Sequence, residues 1–313
     1  MLSDLVNRSR PLPAGSRLLI LGLGYSGTTV ARLATMLGTP VVATKRQPSP
    51  TTGTLPFDSA NGIRPNLEDL RGVTHVLSTI PPDRNGQDPV LNQLLPELSA
   101  LGLKWVGYLS TTGVYGDHNG DWVSETTPAT PGQERSRRRL ACEDAWRDTG
   151  LPVQILRLPG IYGPGRSIVS NLRDGRARRI VKPDQVFCRI HVEDIAGACF
   201  HLIDAASHGD HPTHVNVVDD CPAPSHELVD VAADLLNQPP PPTEDFATAS
   251  SGMSAMAQSF WAENRRISNQ LLSKTLGYRL LHPEFRAGLR DCFLQDELAM
   301  NNGTSRDRQS TNA

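Results

Sequence analysis

Three closely spaced glycines follow a short apolar run near the start of the chain. The run ends at Leu21, and the glycines open a helix-like stretch that continues to Leu37. In such a strand–turn–helix unit the first glycine bends the chain, the second lets backbone approach a pyrophosphate, and the third lets the helix pack on the strand. The helix N-terminus then presents unpaired N–H groups to the phosphates, although tight turns also favour glycine for steric reasons alone. The segment predicts a dinucleotide-binding turn formed by Gly22, Gly24, Tyr25, Ser26 and Gly27.

Strand-like and helix-like segments alternate beyond this turn. Apolar runs predict strands at Val41–Thr44, Val73–Thr79, Trp105–Ser110 and Pro152–Leu158. Helices are predicted between them at Leu67–Leu70, Pro89–Leu101 and Gln133–Asp148. This alternation is typical of a parallel sheet covered on both faces, so the sequence predicts an α/β fold with a doubly wound parallel sheet.

The C-terminal part of the chain has a less regular pattern. A strand at His214–Val218 and helices at Ser225–Leu236 and Ile267–Leu276 predict a smaller lobe, and Pro239–Pro242 predict a surface connector. The polar, proline-rich start predicts a flexible leader at residues 1–15, and the polar end predicts a disordered tail at 299–313. We therefore expect a dinucleotide-binding core over residues 16–165 and a substrate-binding lobe mainly over 166–298.

Composition argues against several classes of partner. The 313-residue chain has a formal net charge of −2, which argues against nucleic acid. Its apolar runs fall short of a membrane span, so no membrane partner is expected. Scattered cysteines without a close pair are typical of free thiols in a reducing compartment, which predicts a cytoplasmic protein with neither disulfides nor a metal site. These cysteines are Cys142, Cys188, Cys199, Cys221 and Cys292.

Two cations stand at the end of the second predicted strand, where a carboxylate usually binds the adenosine ribose of NAD. Lys45 and Arg46 would instead pair with a 2′-phosphate, arginine through a bidentate fork, which favours NADP(H) over NAD(H). The alternative is an exposed, solvated charge pair. Asp58 is a candidate to accept a hydrogen bond from the adenine amino group, or else it caps a local turn.

Four further segments carry a family pattern. They are Leu109–Gly116, Leu156–Gly165, Arg189–Ala196, and Trp261–Asn269 followed by Leu276-Gly277. Together with the glycine turn they resemble the extended short-chain dehydrogenase/reductases, the group that includes NAD-dependent epimerases and dehydratases. The resemblance runs in order from about Ser16 to Leu294. It implies a Rossmann core with a smaller C-terminal lobe over the substrate, residues 186–202 returning to the core.

The resemblance implies roles near the nicotinamide. Thr111 falls where the family places a Ser/Thr whose hydroxyl orients the substrate oxygen, and Thr112 is its neighbour. Pro159 and Gly160 fall in the loop that packs around the nicotinamide end, and His191 falls beside the substrate cleft. The structural alternatives are that Thr111 bonds its own backbone at a strand end, that His191 is a core histidine, and that Gly163-Pro164-Gly165 form an ordinary turn.

The chain departs from the resemblance at the catalytic pair. Relatives with standard chemistry carry a tyrosine and, four residues later, a lysine on the helix that follows; here Arg135 and Arg139 stand there. A guanidinium does not release its proton near neutral pH, so Arg135 cannot act as the general acid or base, whereas Arg139 can still donate to a ribose hydroxyl or a phosphate. The resemblance is therefore to the atypical branch that lacks the Tyr-Lys pair. Tyr115 is the first candidate proton donor, before Tyr162 and the histidine, unless its ring merely packs under the substrate.

Basic clusters suggest an anionic substrate, or else solvated helix faces. They comprise Arg135, Arg137, Arg138 and Arg139, and further on Arg173, Arg176, Arg178 and Arg179. Trp261, Asn264 and Arg265 precede a helix predicted in the lobe, where they would meet a sugar or phosphate or would cap that helix.

The leading hypothesis is an NADP(H)-binding atypical oxidoreductase that acts on a small carbonyl or sugar-like metabolite. One alternative is an enzyme like a nucleotide-sugar epimerase or dehydratase, which needs a base near the substrate carbon. Another is a catalytically silent NADP(H) sensor that acts through a protein partner. An open, polar cleft beside Thr111 would favour an enzyme, and a filled one the sensor. A homodimer through the helix of residues 135–146 is expected from the resemblance.

Overall fold

One parallel sheet organises the protein. The structure is a computed structural model that describes residues 1–48 and 53–310, with side chains described as far as Asn301. The strands are β1 (Leu18–Leu21), β2 (Val41–Lys45), β3 (Leu55–Pro56), β4 (His75–Ser78), β5 (Trp105–Thr111), β6 (Trp122–Val123), β7 (Val153–Leu158), β8 (Gly160–Tyr162), β9 (Arg179–Val181), β10 (Arg189–His191), β11 (His214–Asn216), β12 (Thr243–Asp245) and β13 (Arg266–Ile267). The α-helices are α1 (Leu2–Val6), α2 (Tyr25–Met36), α3 (Pro89–Ala100), α4 (Glu134–Arg147), α5 (Ile168–Arg173), α6 (Val192–Ser207), α7 (Ser225–Leu235), α8 (Phe246–Ser250), α9 (Ala255–Trp261) and α10 (Phe285–Ser310).

The central sheet has the strand order β11-β7-β5-β4-β1-β2-β3, and each neighbouring pair is parallel. This confirms the predicted α/β fold with a doubly wound parallel sheet. The predicted core strands and helices are present, with bounds that differ by a few residues, and Leu67–Leu70 form a 3-10 turn. Because the strands are parallel, the C-terminal ends of β1, β2 and β5 lie on the same edge of the sheet, where such sheets bind ligands.

The residues of β1 show why the sequence folds in this way. All four are buried, as a strand covered on both faces requires. Leu18 and Ile20 pack in one cluster with residues of α2 and α6, whereas Leu19 and Leu21 pack on the opposite face with residues of α3 and α4. Each buried leucine contributes roughly 1.5–3 kcal/mol, so this strand fixes the helices on both faces.

The start of the chain is not the flexible leader that its composition predicts. Residues Leu2 to Val6 form α1, and Leu2 and Leu5 are buried in the cluster that contains α2 and α6. The two leucines are three residues apart, which places both on one helix face. Surrounding polar residues and prolines hide this short apolar face from a composition argument.

The C-terminal lobe has a small core of its own. Residues of α5, α7 and α10 enclose it, among them Val169, Leu228 and Phe285. The predicted helix at Ile267–Leu276 is wrong in its first part, because β13 pairs in parallel with β6 and only Leu271–Thr275 turn as a π-helix.

The backbone of α10 continues as far as Ser310, through residues that the sequence predicts as a disordered tail. Residues 311–313 lie outside the described part of the chain. No helix among the described residues is both long and apolar enough to cross a membrane. The five cysteines carry free thiols, as predicted.

Candidate functional site

The three glycines of the turn meet different surroundings. Gly22 has φ +93°, and a Cβ there would lie 2.8 Å from Ile80 Cγ1 and from Thr79 Oγ1. A Cβ on Gly27 would lie 2.5 Å from the carbonyl oxygen of Gly22. A Cβ on Gly24 would meet no atom within 4 Å. Conformation and packing therefore require the first and third glycines, whereas the second leaves the space that a pyrophosphate would need.

The first turn of α2 faces this space. Gly24 is the N-cap of α2 and supplies no side-chain cap, so backbone N–H groups of the first turn, which includes Ser26, are available to an anion. The hydroxyl of Tyr25 donates to the carbonyl oxygen of Pro164 at 3.0 Å. The Arg166 guanidinium lies 5.5 Å from the Tyr25 ring centre, so the turn contacts the loop after β8. The free backbone N–H groups of the first turn and the open space at Gly24 fit the pyrophosphate of a dinucleotide.

The two predicted phosphate-binding cations lie next to the glycine turn. Backbone N–H groups of Gly22 and Leu23 donate to Thr44, at 3.0 Å to its hydroxyl and 2.8 Å to its carbonyl oxygen. Lys45 follows directly and is half-buried, while Arg46 is exposed. Among the described residues neither cation has a hydrogen-bond or ion-pair partner.

Asp58 caps a local turn, which is the alternative to its predicted role at the adenine. It is the N-cap of a 3-10 turn, and its carboxylate accepts from the backbone N–H of Ala60 at 3.2 Å. It also accepts from Asn61 Nδ2 at 2.7 Å. Both carboxylate oxygens thus accept hydrogen bonds within the turn, which favours the capping role over a hydrogen bond to adenine.

An open cleft of about 770 Å³ lies beside the C-terminal end of β5. Thr111, Thr112, Pro159 and Gly160 line its core side. Five arginines and one carboxylate also line it, namely Arg135, Arg139, Arg166, Arg189, Arg265 and Glu263. With five positive charges against one negative, this wall attracts anions.

Thr111 has the local role considered for it and also lies at the wall of the cleft. Its hydroxyl accepts from the backbone N–H of Gly113 at 3.1 Å and so caps a 3-10 turn. Because the hydroxyl accepts in this bond, its own proton is available to a ligand oxygen in the cleft. Arg139 Nη1 donates to the carbonyl oxygen of Leu109 at 3.0 Å and to the hydroxyl of Tyr108 at 3.2 Å. The arginine is therefore held against β5 at the cleft wall.

The structure does not place Tyr115 at the cleft, contrary to its predicted role as proton donor. Its side chain is fully buried, and its hydroxyl donates to Asn216 Oδ1 at 2.8 Å. The Arg157 guanidinium covers the ring at 4.8 Å, and burial raises the pKa of the phenol. Tyr115 is therefore a core residue that joins the turn after β5 to β11.

Tyr162 and His191 also lie away from the cleft, which corrects their predicted placement. They pack edge to face, with ring centres 5.1 Å apart, beside α10. His191 is fully buried, and its Nδ1 accepts from the backbone N–H of Glu193 at 3.3 Å. Burial and the nearby His282 lower the pKa of His191 to about 3, so the ring is neutral at ordinary pH.

A buried cluster around His191 has the composition of a metal site. Donor atoms of His191, Glu193, His282 and Asp291 lie within 4.8 Å of one another. However, His191 Nδ1 already accepts a backbone N–H, so the neutral ring carries its proton on Nε2, the atom that faces Asp291 at 3.7 Å. Glu193 accepts from His282 Nε2 at 3.2 Å and from Gln295 at 3.1 Å. We interpret the cluster as a hydrogen-bonded network that joins α6 to α10.

Sequence reasoning missed the side chain that holds α4 in place. Glu143 is fully buried and accepts from Ser110 at 2.5 Å, from Arg157 Nη2 at 2.7 Å and from Arg147 at 3.0 Å. It ties the helix that carries the cleft arginines to β5 and β7. In the sequence Glu143 stands beside Asp144 and is indistinguishable from a surface charge.

Arg189 was also missed, although it stands in the segment that carries the family pattern. It is only 8% exposed, and it donates to the carbonyl oxygens of Phe187 at 2.8 Å and Ala223 at 3.1 Å. Among the described residues no carboxylate lies within ion-pair distance of it. Burial lowers the pKa of this guanidinium, and the nearby Asp219 opposes that effect.

The three residues predicted to precede a helix of the lobe divide between the cleft and the lobe. Trp261 and Arg265 line the cleft, and Arg265 donates to Glu263 at 2.7 Å. Asn264 instead holds the lobe together, because its side chain bonds Val186 N–H at 3.2 Å and the carbonyl oxygen of Asp184 at 2.9 Å.

Most arginines of the predicted basic clusters are neutralised. Arg137 and Arg138 both pair with Glu134. The second cluster forms ion pairs throughout: Arg173 with Glu297, Arg176 with Asp174, Arg178 with Glu244, and Arg179 with Asp230. The solvated alternative is therefore correct for these side chains, and the positive wall of the cleft is formed by other arginines.

Comparison with known proteins gives the family. The family model for NAD-dependent epimerases/dehydratases matches residues 90–217. A functionally unknown conserved protein from Silicibacter pomeroyi has a similar structure, with a TM-score of 0.79 and 40% identity over 90% of this chain and 99% of that chain. The chain belongs to the NAD-dependent epimerase/dehydratase family.

Two further proteins are less similar to this chain. Protein YeeZ of Escherichia coli is 32% identical over 189 residues, which are 56% of this chain and 64% of that protein. The match thus spans slightly less than two thirds of this relative. Human epimerase family protein SDR39U1, solved with NADPH, has a TM-score of 0.67 at 18% identity, covering 88% of this chain and 99% of that chain. At that identity the likeness shows the fold alone.

Proposed function

We propose that this protein is an NADP(H)-dependent oxidoreductase that acts on a small anionic carbonyl compound. The proposal rests on the observation that three features suited to a dinucleotide and its substrate lie along one edge of the sheet. The open space at Gly24, the two cations at the end of β2 that have no side-chain partner among the described residues, and a polar cleft at the end of β5 lie along it. A nucleotide on the turn would direct its nicotinamide toward Thr111, as in the Rossmann arrangement.

Lys45 and Arg46 support NADP(H) rather than NAD(H). A 2′-phosphate would give both cations the partner that they lack, and a hydrogen bond to a charged group contributes roughly 1.5–3 kcal/mol. Solved neighbours of similar fold contain NADPH in one case and NAD in others, so the proposed preference rests on these two cations.

The charge of the cleft supports an anionic substrate. Arg189 is buried and forms no ion pair with a carboxylate of the described residues, and a substrate carboxylate or phosphate would supply a negative charge beside it. Asp219 lies near this arginine, but burial raises its pKa to about 8, so it is largely protonated at neutral pH. At neutral pH Asp219 therefore compensates the charge of Arg189 only in part.

Two side chains of this chain are placed to bind the substrate oxygen. NADPH supplies the hydride when it is bound. The Thr111 hydroxyl can donate to the oxygen that gains charge, and the Arg139 guanidinium adds positive potential beside it. The arginine at position 135 cannot supply the proton, so the proposal assigns that proton to solvent in the open cleft.

The open cleft favours an enzyme over the silent sensor. The epimerase or dehydratase alternative is retained because Glu263, the carboxylate at the cleft, has an Oε1 atom that is buried without a hydrogen-bond partner. Such an atom is a candidate base. Exchange of a substrate C–H proton with deuterated solvent, without net oxidation of NADPH, would favour this second function.

The test is NADPH oxidation, followed at its absorbance band, with matched pairs of carbonyl compounds. Each pair contains a keto or aldehyde acid and its neutral methyl ester. We expect turnover of the acid over the ester by at least about tenfold, and loss of that preference in Arg189→Met. Thr111→Val should lower kcat with either compound. Tight NADPH binding without turnover of any carbonyl compound or proton exchange would contradict the enzyme and favour the sensor.

A further inference from the structure

The helix α9 forms one wall of the cleft but has no buried residue. A helix of seven residues is not stable in water by itself, so something must hold it. Its own polar side chains contribute little to this, because Gln258 and Ser259 bond only to carbonyl oxygens of residues 250, 253 and 256.

The C-terminal end of α9 is held by the lobe. Lys182 Nζ donates to the carbonyl oxygen of Trp261 at 2.5 Å. The Trp261 ring lies between Phe187 and Phe246, with ring centres 5.0 and 5.1 Å away. These contacts fix the last residue of the helix and leave the face that carries Met256 and Phe260 largely exposed.

Arg135 reaches that face from the other side of the cleft. Its guanidinium lies 4.0 Å from the centre of the Phe260 ring, and Nη1 lies 3.2 Å from Met256 Sδ. Met256 and Phe260 are four residues apart and share one helix face, so a single guanidinium contacts both. Even with this contact, Met256 is 62% exposed and Phe260 is 56% exposed.

Arg135 differs in this from its neighbours on α4. Arg137 and Arg138 pair with Glu134, whereas Arg135 forms no ion pair with any carboxylate of the described residues. Its charge is therefore available to the ring of Phe260.

We propose that Arg135 is a positioning residue that holds α9 over the cleft. The resemblance places a catalytic tyrosine at this position, and in this chain the side chain there spans the cleft and sets the position of its far wall. The inference does not depend on the nicotinamide, because it concerns contacts within the protein alone.

Hydrogen–deuterium exchange of the ligand-free protein tests this proposal. A contact of cation and exposed ring changes an equilibrium by about two- to fivefold. We expect Arg135→Ala to speed exchange of backbone amides in residues 255–261 by that factor while exchange in β1 and β5 is unchanged. Arg137→Ala is the matched control on the same helix and should leave residues 255–261 as they are.

Two further variants separate this contact from a general loss of structure. Phe260→Leu should speed exchange in residues 255–261 as Arg135→Ala does, and the double variant should add little, because both remove the same contact. Arg135→Lys retains a cation and should partly restore the slow exchange. Unchanged exchange in Arg135→Ala, fully additive effects, or an equal increase throughout the protein would each overturn the proposal. NADPH binding has no part in these outcomes, so failure of the proposed function would leave them interpretable.

Discussion

One methyl group added at Gly24 should weaken nucleotide binding and leave the fold intact. The added Cβ of Gly24→Ala meets no protein atom within 4 Å, and φ is −87°, which alanine adopts freely. Loss of a glycine N-cap costs up to about 1 kcal/mol, and the smaller entropy of the unfolded alanine chain offsets roughly 0.4–1 kcal/mol. The free energy of unfolding should therefore change by less than about 1 kcal/mol. The methyl group would occupy the space of a pyrophosphate, so affinity for NADPH should fall at least about tenfold.

The same change at Gly27 should have a different outcome. Its Cβ would lie 2.5 Å from the Gly22 carbonyl oxygen and 3.2 Å from Ile20 Cγ2. Since the first neighbour is backbone, helix and strand must move apart. Overpacking of this kind costs about 1–3 kcal/mol, so Gly27→Ala should lose both stability and binding.

Urea denaturation and calorimetric titration with NADPH measure the two effects separately. The expected pattern is a change in binding alone for Gly24→Ala and in both quantities for Gly27→Ala. If Gly24→Ala binds NADPH as tightly as the natural chain, the pyrophosphate does not approach this glycine and the assignment of the turn is refuted.

Two predictions concern buried charges. Glu143→Ala leaves Arg157, which is 3% exposed, without its partner, so the free energy of unfolding measured in urea should fall by about 3–5 kcal/mol. Asp144→Ala, which changes an exposed residue of the same helix, should lower it by less than about 1 kcal/mol. Equal losses in the two variants would contradict the role of Glu143. Burial raises the pKa of Asp219 from its ordinary value of 3.8 to about 8 in the folded protein, so the natural chain loses stability as pH rises from about 4 to 8. Asp219→Asn should remove this loss and gain about 2–3 kcal/mol relative to the natural chain between pH 5 and pH 7, whereas a difference that does not depend on pH would show that Asp219 is ionised in the fold.

The parts of the site that depend on local sequence could be predicted. The glycine turn requires only neighbouring residues, and its three glycines have the surroundings that their spacing implies. Thr111 lies at the cleft because the end of a strand in a parallel sheet determines its place. The apolar pattern of β1 likewise needs no distant partner.

The parts that depend on distant partners could not be predicted. Tyr115 is turned into the core by Asn216 on β11, and nothing near Tyr115 in the sequence shows that contact. Arg189 stands in the chain as one charge among many, and only the fold shows that it is buried at the cleft. Glu143 has an acidic neighbour and is distinguished from it only by the strand against which it packs.

The most direct measurement is calorimetric titration of the purified protein with NADPH and with NADH, after any nucleotide retained during purification has been removed. The account predicts tighter binding of NADPH by at least about tenfold and loss of that preference in the double variant Lys45→Ala/Arg46→Ala. Arg71→Ala is the control, because this exposed arginine precedes β4 at the opposite edge of the sheet. Binding of neither nucleotide, or equal binding of both that the double variant does not alter, would contradict the proposed cofactor site.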